Sequence, residues 1–488
     1  MARKRCNCCT PCSLTFFVRL HKKLCAALLA LLLLAACGVA EGDTALPAPS
    51  IPTRPATTAA QTTVPVTTED PAEAQRRALE AALVAALDAA PVQGIEEGDL
   101  RPFPYPYRAM LALTSDCDST KLEVFEGVHR FLNTREETDY GPGLGLDVGD
   151  SFFLYNGSND AEAAGIMTWC EGTDPGVIQS AAVIQKYYAC GWIDSLHAFG
   201  DFSRSGGSRF TRALAEAAWA HLEEAGIAPT VWIDHGNASN LQNFGAYNPK
   251  NASSYQAGDD PASPYYHTDL TLSAGVRYVW YSRHSHKFGQ DFPLSERALR
   301  DGSTVWSFTR YCNEMNGNEI LWNWRPNQLN EQITEARLDS LEQKGQYALV
   351  GQHLTMYQAR YQPEADDLAA LRMLAERHHT GRILVARTSR LLDYAVATRY
   401  ITFQTAEVDG RRAIRLLDLG DPTTGPRTPT PDELRGLTFY CEQPENVMIF
   451  VGGVPLEADL LQINPADDSG QASIGIRWFE ADVTDYTK

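Results

Sequence analysis

Carboxylate and imidazole side chains recur in this chain directly after short apolar segments. The first two, Asp116 and Asp118, follow the apolar residues 110–113. Later apolar segments are followed by the same side-chain types, namely His197, Asp201, Asp234, His235, His284, His286 and His353. Imidazole nitrogen and carboxylate oxygen are ligands that zinc and similar divalent ions take in proteins, and three such ligands leave room for a water molecule. The residues therefore predict a divalent-metal site, with zinc as the expected ion, that polarises a carbonyl and activates water beside a carboxylate base.

The segments before these side chains share a pattern that predicts where the side chains lie. Each unit has an amphipathic helix, a glycine at its end, an apolar strand and then the polar residues. The helix and strand of each unit are predicted at 177–190 and 192–196, 210–225 and 229–233, 267–274 and 276–281, 335–344 and 347–350, and 368–379 and 383–385. Glycine just past a helix suits the left-handed cap, and this alternation predicts parallel strands joined by right-handed crossovers. The polar residues are therefore expected at the carboxyl ends of the strands, where barrels of this kind have their active sites.

The number of predicted strands favours a closed barrel. Together with 110–113 and 303–308, the units supply about seven strands, all too apolar to have a face in water. Residues 151–155 are a further predicted strand outside this count. An open doubly wound sheet is the alternative, but no Gly-x-Gly-x-x-Gly follows the first strand, which argues against a nucleotide-binding sheet of that type.

The motifs at these strand ends resemble those of the NodB-like polysaccharide deacetylases. The sequence Thr-Ser-Asp-Cys-Asp at 114–118 is similar to the family's Thr-Phe-Asp-Asp-Gly with one residue inserted, and His-Ala-Phe-Gly-Asp at 197–201 is similar to its His-x-x-x-His. Residues 347–354 resemble its last motif, an apolar strand ending in histidine. The resemblance covers about residues 108–400 and implies an α/β fold, a distorted (β/α)7 barrel.

The same resemblance implies an activity and roles for individual side chains. Asp116 would be the catalytic base, and Asp118 and His197 would be metal ligands. His353 would protonate the leaving amine. The implied reaction is the removal of an N-acetyl or O-acetyl group from a sugar, so the chain is expected to be a carbohydrate deacetylase.

The chain departs from the family pattern at two places. Asp201 occupies the position of the family's second histidine, so the third metal ligand is either Asp201 or His235. The family's Arg-x-Pro-Tyr motif is not found, and Arg310 with Tyr311 is expected to orient the base instead.

Aromatic side chains near the predicted strand ends are candidates for stacking on sugar rings. Trp322 and Trp324 flank Asn323 in a polar segment and are the preferred candidates. Asp234 is also assigned to substrate binding. Three other tryptophans, Trp232, Trp280 and Trp306, are each better explained as core.

The N-terminal segment is predicted to be a targeting signal. Basic residues precede the apolar residues 24–34, a run that is short for a transmembrane helix. The sequence Leu-Ala-Ala-Cys at 34–37 resembles the bacterial lipobox, so residues 1–37 are predicted to be a lipoprotein signal peptide with Cys37 as the lipid anchor. The alternative is an ordinary signal peptide. We therefore expect a bacterial envelope protein, exported and held to the membrane outside the cytoplasm.

The rest of the chain falls into segments that differ in composition. Residues 38–71 are rich in Ala, Thr and Pro and are predicted to be a flexible linker. Residues 72–100 are predicted as a helical spacer and 101–400 as the barrel. Short strands separated by turn residues predict a small antiparallel β domain of sandwich type at 401–488.

Charge and cysteine content limit the partners and the cross-links. Beyond residue 37 the formal charge is near −25, which repels nucleic-acid phosphates, so no nucleic-acid partner is expected. Five cysteines remain after the leader, an odd number, and Cys170 with Cys190 is the expected disulfide.

Two other functions are compatible with the sequence. The altered motifs favour a catalytically inactive lipoprotein that binds glycan or acts as a scaffold on the same barrel. A glycoside hydrolase would instead need two carboxylic acids at a defined separation and no metal.

Overall fold

The computed structural model describes residues 70–158, 165–202, 209–236, 240–245, 256–312 and 323–488, and the backbone alone at 314–316 and 319–321. These residues belong to one compact unit, Glu69–Lys488. The predicted signal peptide with Cys37, nearly all of the predicted linker, and Trp322 lie outside the described residues.

The helices and strands are numbered in chain order. The helices are α1 (Pro71–Asp88), α2 (Leu122–Asn133), α3 (Ala181–Cys190), α4 (Arg212–Glu224), α5 (Thr268–Ser273), α6 (Leu329–Gln332), α7 (Glu335–Lys344), α8 (Ala365–His379) and α9 (Thr388–Tyr400). The strands as far as residue 385 are β1 (Ala109–Ser115), β2 (Glu137–Thr138), β3 (Gly141–Pro142), β4 (Asp150–Phe152), β5 (Tyr155–Asn156), β6 (Ile193–His197), β7 (Gly200–Asp201), β8 (Val231–Ile233), β9 (Tyr278–Ser285), β10 (Leu294–Ala298), β11 (Thr304–Tyr311), β12 (Glu314–Asn316), β13 (Glu319–Leu321), β14 (Tyr347–Gln352) and β15 (Ile383–Val385). The later strands are β16 (Ile401–Val408), β17 (Arg411–Asp421), β18 (Gly425–Arg427), β19 (Thr438–Tyr440), β20 (Val447–Val451), β21 (Val454–Pro455), β22 (Leu461–Asn464) and β23 (Ser473–Ile476).

Seven parallel strands close into a barrel. Their order around the ring is β1, β4, β6, β8, β9, β11 and β14, and the ring closes because β14 pairs with β1 and β11 pairs with β9. Strand β10 extends β11 on the outside as an antiparallel neighbour. The α/β barrel expected from the repeated helix–strand pattern is confirmed, and the open doubly wound sheet is wrong.

One of the seven ring strands is not the strand that the sequence predicts. Strand β4, from the predicted strand at 151–155, is in the ring, whereas β15 lies outside it and pairs with the N-terminal half of β1. Strand β4 meets β1 at a single register pair, Ser115 with Asp150. One edge of β1 is therefore shared between two short strands, which distorts the barrel next to the end of β1.

The predicted glycine caps position the strands that follow them. Gly191 ends α3 and Gly345 ends α7, both in the left-handed conformation that glycine adopts without strain. Each helix therefore stops within a few residues of the next barrel strand, and the polar residues after the strands arrive together at the carboxyl end of the barrel.

Alternating residues of the barrel strands join different parts of the core. Met110, Ala112 and Leu349 belong to the same buried cluster as α9 and the C-terminal strands. Their neighbours Leu111 and Val350 belong to a cluster with α2, α7 and α8. Both faces of the strands are thus covered by apolar side chains, which explains why the strands read as continuous apolar runs.

The C-terminal residues form two small sheets that pack on the barrel through α9. One sheet has the order β16, β17, β20, β21 with β18 beside β17, and the other has the order β19, β23, β22. The prediction of short antiparallel strands is correct except for β17 and β20, which are parallel.

Helix α1 is part of this C-terminal region. The predicted spacer helix buries Leu83 and Leu87 completely against Ala413 and Phe450. The apolar face of this helix is therefore covered by a sheet of the same unit.

The cysteine prediction is also wrong. None of the five cysteines of the described residues forms a disulfide: Cys170 is buried, and the thiol of Cys190 donates to the carbonyl of Tyr187. Among the described residues, no helix combines the length and apolarity needed to cross a membrane.

Candidate metal-binding site

Three predicted ligands converge at the carboxyl end of the barrel. Asp118 follows β1, His197 is the last residue of β6, and His235 lies two residues after β8. One ligand atom from each lies within 4.8 Å of the other two. Asp118 Oδ1 is 3.4 Å from His197 Nε2 and 3.2 Å from His235 Nδ1, and the two imidazole nitrogens are 3.1 Å apart.

The other nitrogen of each imidazole determines which atoms of this group carry protons. His197 Nδ1 lies 3.1 Å from the carbonyl oxygen of Ile233, which can only accept, so His197 Nε2 is left with its lone pair. His235 Nε2 lies 3.2 Å from Asp201 Oδ1, so His235 Nδ1 is likewise a lone-pair donor when the ring is neutral. Three electron-pair donors therefore face one another.

This group requires positive charge at its centre. Asp118 Oδ1 is a buried oxygen without a hydrogen-bond partner. Burial alone would raise the pKa of Asp118, but three surrounding imidazoles lower it well below its usual range. Burial would lower the pKa of His235, yet Asp118 and Asp201 raise it well above its usual value. A divalent cation would supply this positive charge. A donor set of one carboxylate and two imidazoles is suited to zinc.

Asp201 occupies a position behind the group. Its carboxylate accepts from the Nε2–H of His235, on the side of the ring away from Asp118. Metal-bound histidines commonly donate their second N–H to a carboxylate in this way, which fixes the tautomer and orientation of the ring. Of the two alternatives for the third ligand, the geometry therefore favours His235, with Asp201 as its orienting partner.

Phe153 supports the two imidazoles from one side. Its ring is stacked on His197 at 4.9 Å between centroids and meets His235 edge-on at 5.3 Å. The sequence contains no signal for this role, because an apolar residue at the end of a predicted strand is indistinguishable from an ordinary core residue.

Asp116 is held beside the group by a paired guanidinium. Arg310 donates two hydrogen bonds to its carboxylate, at 2.8 and 2.9 Å, and both side chains are almost completely buried. Asp116 Oδ2 also lies 3.9 Å from His197 Nε2. The guanidinium of Arg310 rests on the Trp280 ring at 3.9 Å, so Trp280 is buried beneath it and has no face for a sugar.

His353 occupies the opposite side of Asp118. Its Nε2 is 2.7 Å from Asp118 Oδ2, and its Nδ1 is 3.1 Å from the carbonyl oxygen of Trp324. Both partners can only accept, so both ring nitrogens are satisfied only in the imidazolium form. Burial opposes this charge, but the neighbouring Asp118 raises the pKa of His353 above its usual value.

The other predicted residues are not part of the ligand group. Burial and the adjacent Arg310 lower the pKa of His284 to about 4. Tyr311 packs edge-on against Phe288, so Arg310 holds Asp116 without a described contribution from Tyr311. His286 is exposed.

The Cys117 thiol lies between the two carboxylates in the sequence. It is buried, and this burial together with the neighbouring Asp118 raises its pKa well above the usual value. These surroundings favour the protonated thiol over the thiolate that a nucleophile requires.

Asp234, the residue assigned to substrate binding, is turned into the protein interior. Its carboxylate is completely buried and accepts from Trp232 Nε1 at 2.9 Å, from the backbone N–H of Phe244 at 3.2 Å, and from Gln256. These bonds tie the end of β8 to the segment that follows it. A substrate cannot reach the side chain.

The tryptophans considered for stacking on sugar rings differ in how deeply they are buried. Trp232 and Trp306 belong to the core, as expected. Trp324 is only half-buried, with its ring 5.3 Å from His353 and 5.5 Å from Tyr361. Among the predicted stacking residues that the structure describes, Trp324 is therefore the one that borders the site.

A large cavity lies elsewhere in the molecule. A cavity of about 1010 Å³ lies between the N-terminal ends of barrel strands and the C-terminal region, lined by residues such as Arg277, Arg387 and Trp478. The chemistry of the side chains, and not cavity size, identifies the carboxyl end of the barrel as the candidate site.

No protein-family model and no curated protein matches this chain.

Proposed function

We propose that this protein is a metal-dependent hydrolase of the polysaccharide deacetylase type, built on a distorted (β/α)7 NodB-like barrel. Its substrate would be an N-acetylated glycan of the cell envelope or the extracellular space. The observation that supports this most strongly is the convergence of three electron-pair donors, Asp118 Oδ1, His197 Nε2 and His235 Nδ1, beside the paired Asp116 and Arg310.

Asp118, His197 and His235 would hold the ion, and Asp201 would orient His235. When bound, a zinc ion polarises an acetyl carbonyl and lowers the pKa of water towards neutrality. The buried oxygen of Asp118 without a hydrogen bond and the two imidazole lone pairs fit such an ion.

Asp116 would act as the base. Its carboxylate is adjacent to the ligands but is engaged by Arg310 through both oxygens, which fixes its orientation. From this position it accepts the proton of the attacking water molecule. Arg310 keeps the carboxylate in place during that transfer.

His353 would act as the acid. Its two acceptors hold the ring as an imidazolium, so the Nε2 proton is present before the reaction begins. Donation of this proton to the nitrogen completes the departure of an amine, which is a poor leaving group when unprotonated. Trp324, beside His353, would supply an aromatic surface for the sugar ring.

Export to the envelope and anchoring through Cys37 belong to the same proposal. A glycan of the envelope is reached only by an exported enzyme, and the lipobox-like sequence at 34–37 would keep the enzyme beside the membrane.

The experiment combines metal analysis with acetate release. Purified wild-type protein should contain about one zinc per chain after dialysis against zinc and should release acetate from oligomers of N-acetylglucosamine. His197→Ala should lose the zinc, whereas Asp116→Asn should keep it and lose about 10²-fold or more in rate. His286→Ala, at an exposed histidine outside the site, is the matched control.

Each outcome separates one function from another. Zinc without acetate release in the wild type would indicate a glycan-binding or scaffolding barrel. Full activity in Asp116→Asn would refute the base assignment. Glycan cleavage without any bound metal would indicate a glycoside hydrolase.

A further inference from the structure

A buried polar chain connects the two loops that carry Asp118 and His353. It begins on β4, the short strand that meets β1 only at Ser115 and Asp150. Asp150 and Ser151 are both completely buried, although a barrel strand at this depth is normally apolar. A buried carboxylate persists where several donors satisfy it, so its donors indicate what it does.

Ser151 holds the loop after β1. Its hydroxyl accepts from the backbone N–H of Cys117 at 3.0 Å, directly between Asp116 and Asp118. The backbone N–H of Ser151 in turn donates to Asp150 Oδ1 at 2.9 Å. The position of the Asp118 backbone is therefore tied to β4.

Asp150 holds the loop after β14 with its other oxygen. Asp150 Oδ2 accepts from the hydroxyl of Thr355 at 2.5 Å, two residues beyond His353. Thr355 also shares a hydrogen bond of 2.8 Å with Thr120 Oγ1, which returns to the first loop. His129 Nε2 lies 3.9 Å from the same Asp150 oxygen.

We infer that Asp150, acting through Ser151 and Thr355, is a positioning residue that sets the distance between Asp118 and His353. The two side chains come from different strands, and their contact of 2.7 Å depends on both loops being held in one arrangement. The Asp150 carboxylate bonds directly to the second loop through Thr355. It reaches the first loop through Ser151 and through the bond from Thr355 to Thr120. The loops also meet directly, where the N–H of Leu354 donates to Ser115 Oγ at 2.9 Å. This inference rests on the proposed metal site, since Asp118 matters there as a ligand.

The connection has a direct consequence for metal binding. Groups that orient metal ligands contribute about 10- to 100-fold to metal affinity in known sites. Thr355 touches none of the ligand atoms, so an effect of Thr355 on zinc affinity would have to pass through its hydrogen bonds to Asp150 and Thr120 and through the loops that these bonds hold.

The test uses Thr355→Val, which keeps the shape of the side chain and removes the donor. Zinc affinity of the full-length, metal-stripped protein is measured by competition with a chromophoric chelator. We expect Thr355→Val to bind zinc about 10-fold more weakly or worse, and Thr355→Ser, which restores the hydroxyl, to return to within about 3-fold of wild type. In acetate release, Thr355→Val should lower kcat with KM nearly unchanged.

The matched control is Thr438→Val in the C-terminal region. Thr438 is also buried, and its hydroxyl donates to the carbonyl of Gly436 at 2.8 Å, so it loses a comparable buried hydrogen bond away from the site. Its zinc affinity should equal that of wild type. If Thr355→Val does not fold, Asp150→Asn, which removes the charge with little change in volume, is measured in its place.

The results distinguish this inference from the proposed function. Wild-type zinc affinity in Thr355→Val, or an equal loss in Thr438→Val, would overturn the positioning role. Zinc binding without acetate release would refute the proposed deacetylase activity. The zinc affinities of the variants would still test the positioning role of Asp150. A wild-type protein that binds no zinc would overturn both.

Discussion

Two side chains in one short motif have different relations to the candidate metal site. His197 directs Nε2 at the group, while Asp201, four residues later, accepts from the far nitrogen of His235. A carboxylate in this second position acts on the metal only through the ring that it orients. The two types of residue should therefore differ in how far their loss weakens zinc binding.

The first prediction compares His235→Ala with Asp201→Asn. We expect His235→Ala to abolish zinc binding at micromolar zinc, because it removes one of three ligands. Asp201→Asn leaves the ligands in place and should weaken zinc binding about 10- to 100-fold. Equilibrium dialysis at several zinc concentrations measures both, with His286→Ala as the control at an exposed histidine. If the order of the two losses were reversed, Asp201 would be the ligand and His235 the supporting residue.

At the scale of elements, the segment between His197 and Asp201 depends on a close approach of two backbones. Strand β7 pairs in parallel with β5, and Tyr155 lies opposite Gly200. Gly200 has φ of +151°, and a Cβ atom there would be 2.0 Å from the carbonyl oxygen of Tyr155. Only glycine permits this pairing, which places Asp201 behind His235.

The second prediction is that Gly200→Ala destabilises the fold by about 2–3 kcal/mol, because the methyl group meets backbone rather than a flexible side chain. Gly226→Ala is the matched control. Gly226 also has a positive φ, of +69°, but its added Cβ would meet nothing within 4 Å. It should cost about 1 kcal/mol. Urea unfolding of both variants measures the difference, and equal losses would mean that the contact with Tyr155 is relieved at no cost.

For the whole molecule, stability should depend on pH through buried histidines outside the candidate site. His267 is completely buried among aromatic rings, its Nε2 is 2.6 Å from the carbonyl oxygen of Gln242, and its Nδ1 is 2.8 Å from the hydroxyl of Thr271. Burial lowers the pKa of His267 to about 4. The unfolded chain binds a proton at His267 near pH 6.5, whereas the folded protein does so only near pH 4.

The third prediction follows from this difference. Between pH 6.5 and 4 the unfolded state holds more protons, so the free energy of unfolding should fall as the pH falls. His267 alone should contribute a loss of about 3 kcal/mol by pH 4. His267→Gln should reduce the dependence of the free energy of unfolding on pH by the equivalent of about one bound proton. Part of this dependence should remain, because burial also lowers the pKa of His378 to about 4.

Urea unfolding of metal-free protein in the presence of a chelator, from pH 4.5 to 7.5, measures these slopes without a contribution from zinc release. His286→Gln, at an exposed position, is the control substitution. An unchanged slope in His267→Gln would mean that the folded protein accommodates the charged ring.

The helix–strand units and the end of the barrel where the polar residues gather could be predicted because both depend on local pattern. Gly191 and Gly345 mark the ends of helices through their own backbone freedom, and apolar periodicity marks the strands. The ring order could not be predicted this way. Strand β15, Ile-Leu-Val, is more apolar than β4, Asp-Ser-Phe, so apolarity would place β15 in the ring first. The pairing decides otherwise, because β15 pairs only with the N-terminal half of β1 while β4 continues the ring to β6.

The sequence by itself determined that carboxylates and imidazoles follow parallel strands, and hence that Asp116, Asp118, His197, His235 and His353 would meet. Residue type and strand direction are sufficient for that. Only the tertiary structure decided their separate positions: His235 with the ligands and Asp201 behind it, Asp116 on Arg310, and Asp234 turned into the core. The physical reason is that a side chain's role depends on which atoms surround it, and here some of those atoms come from residues as far as 235 positions apart in the chain.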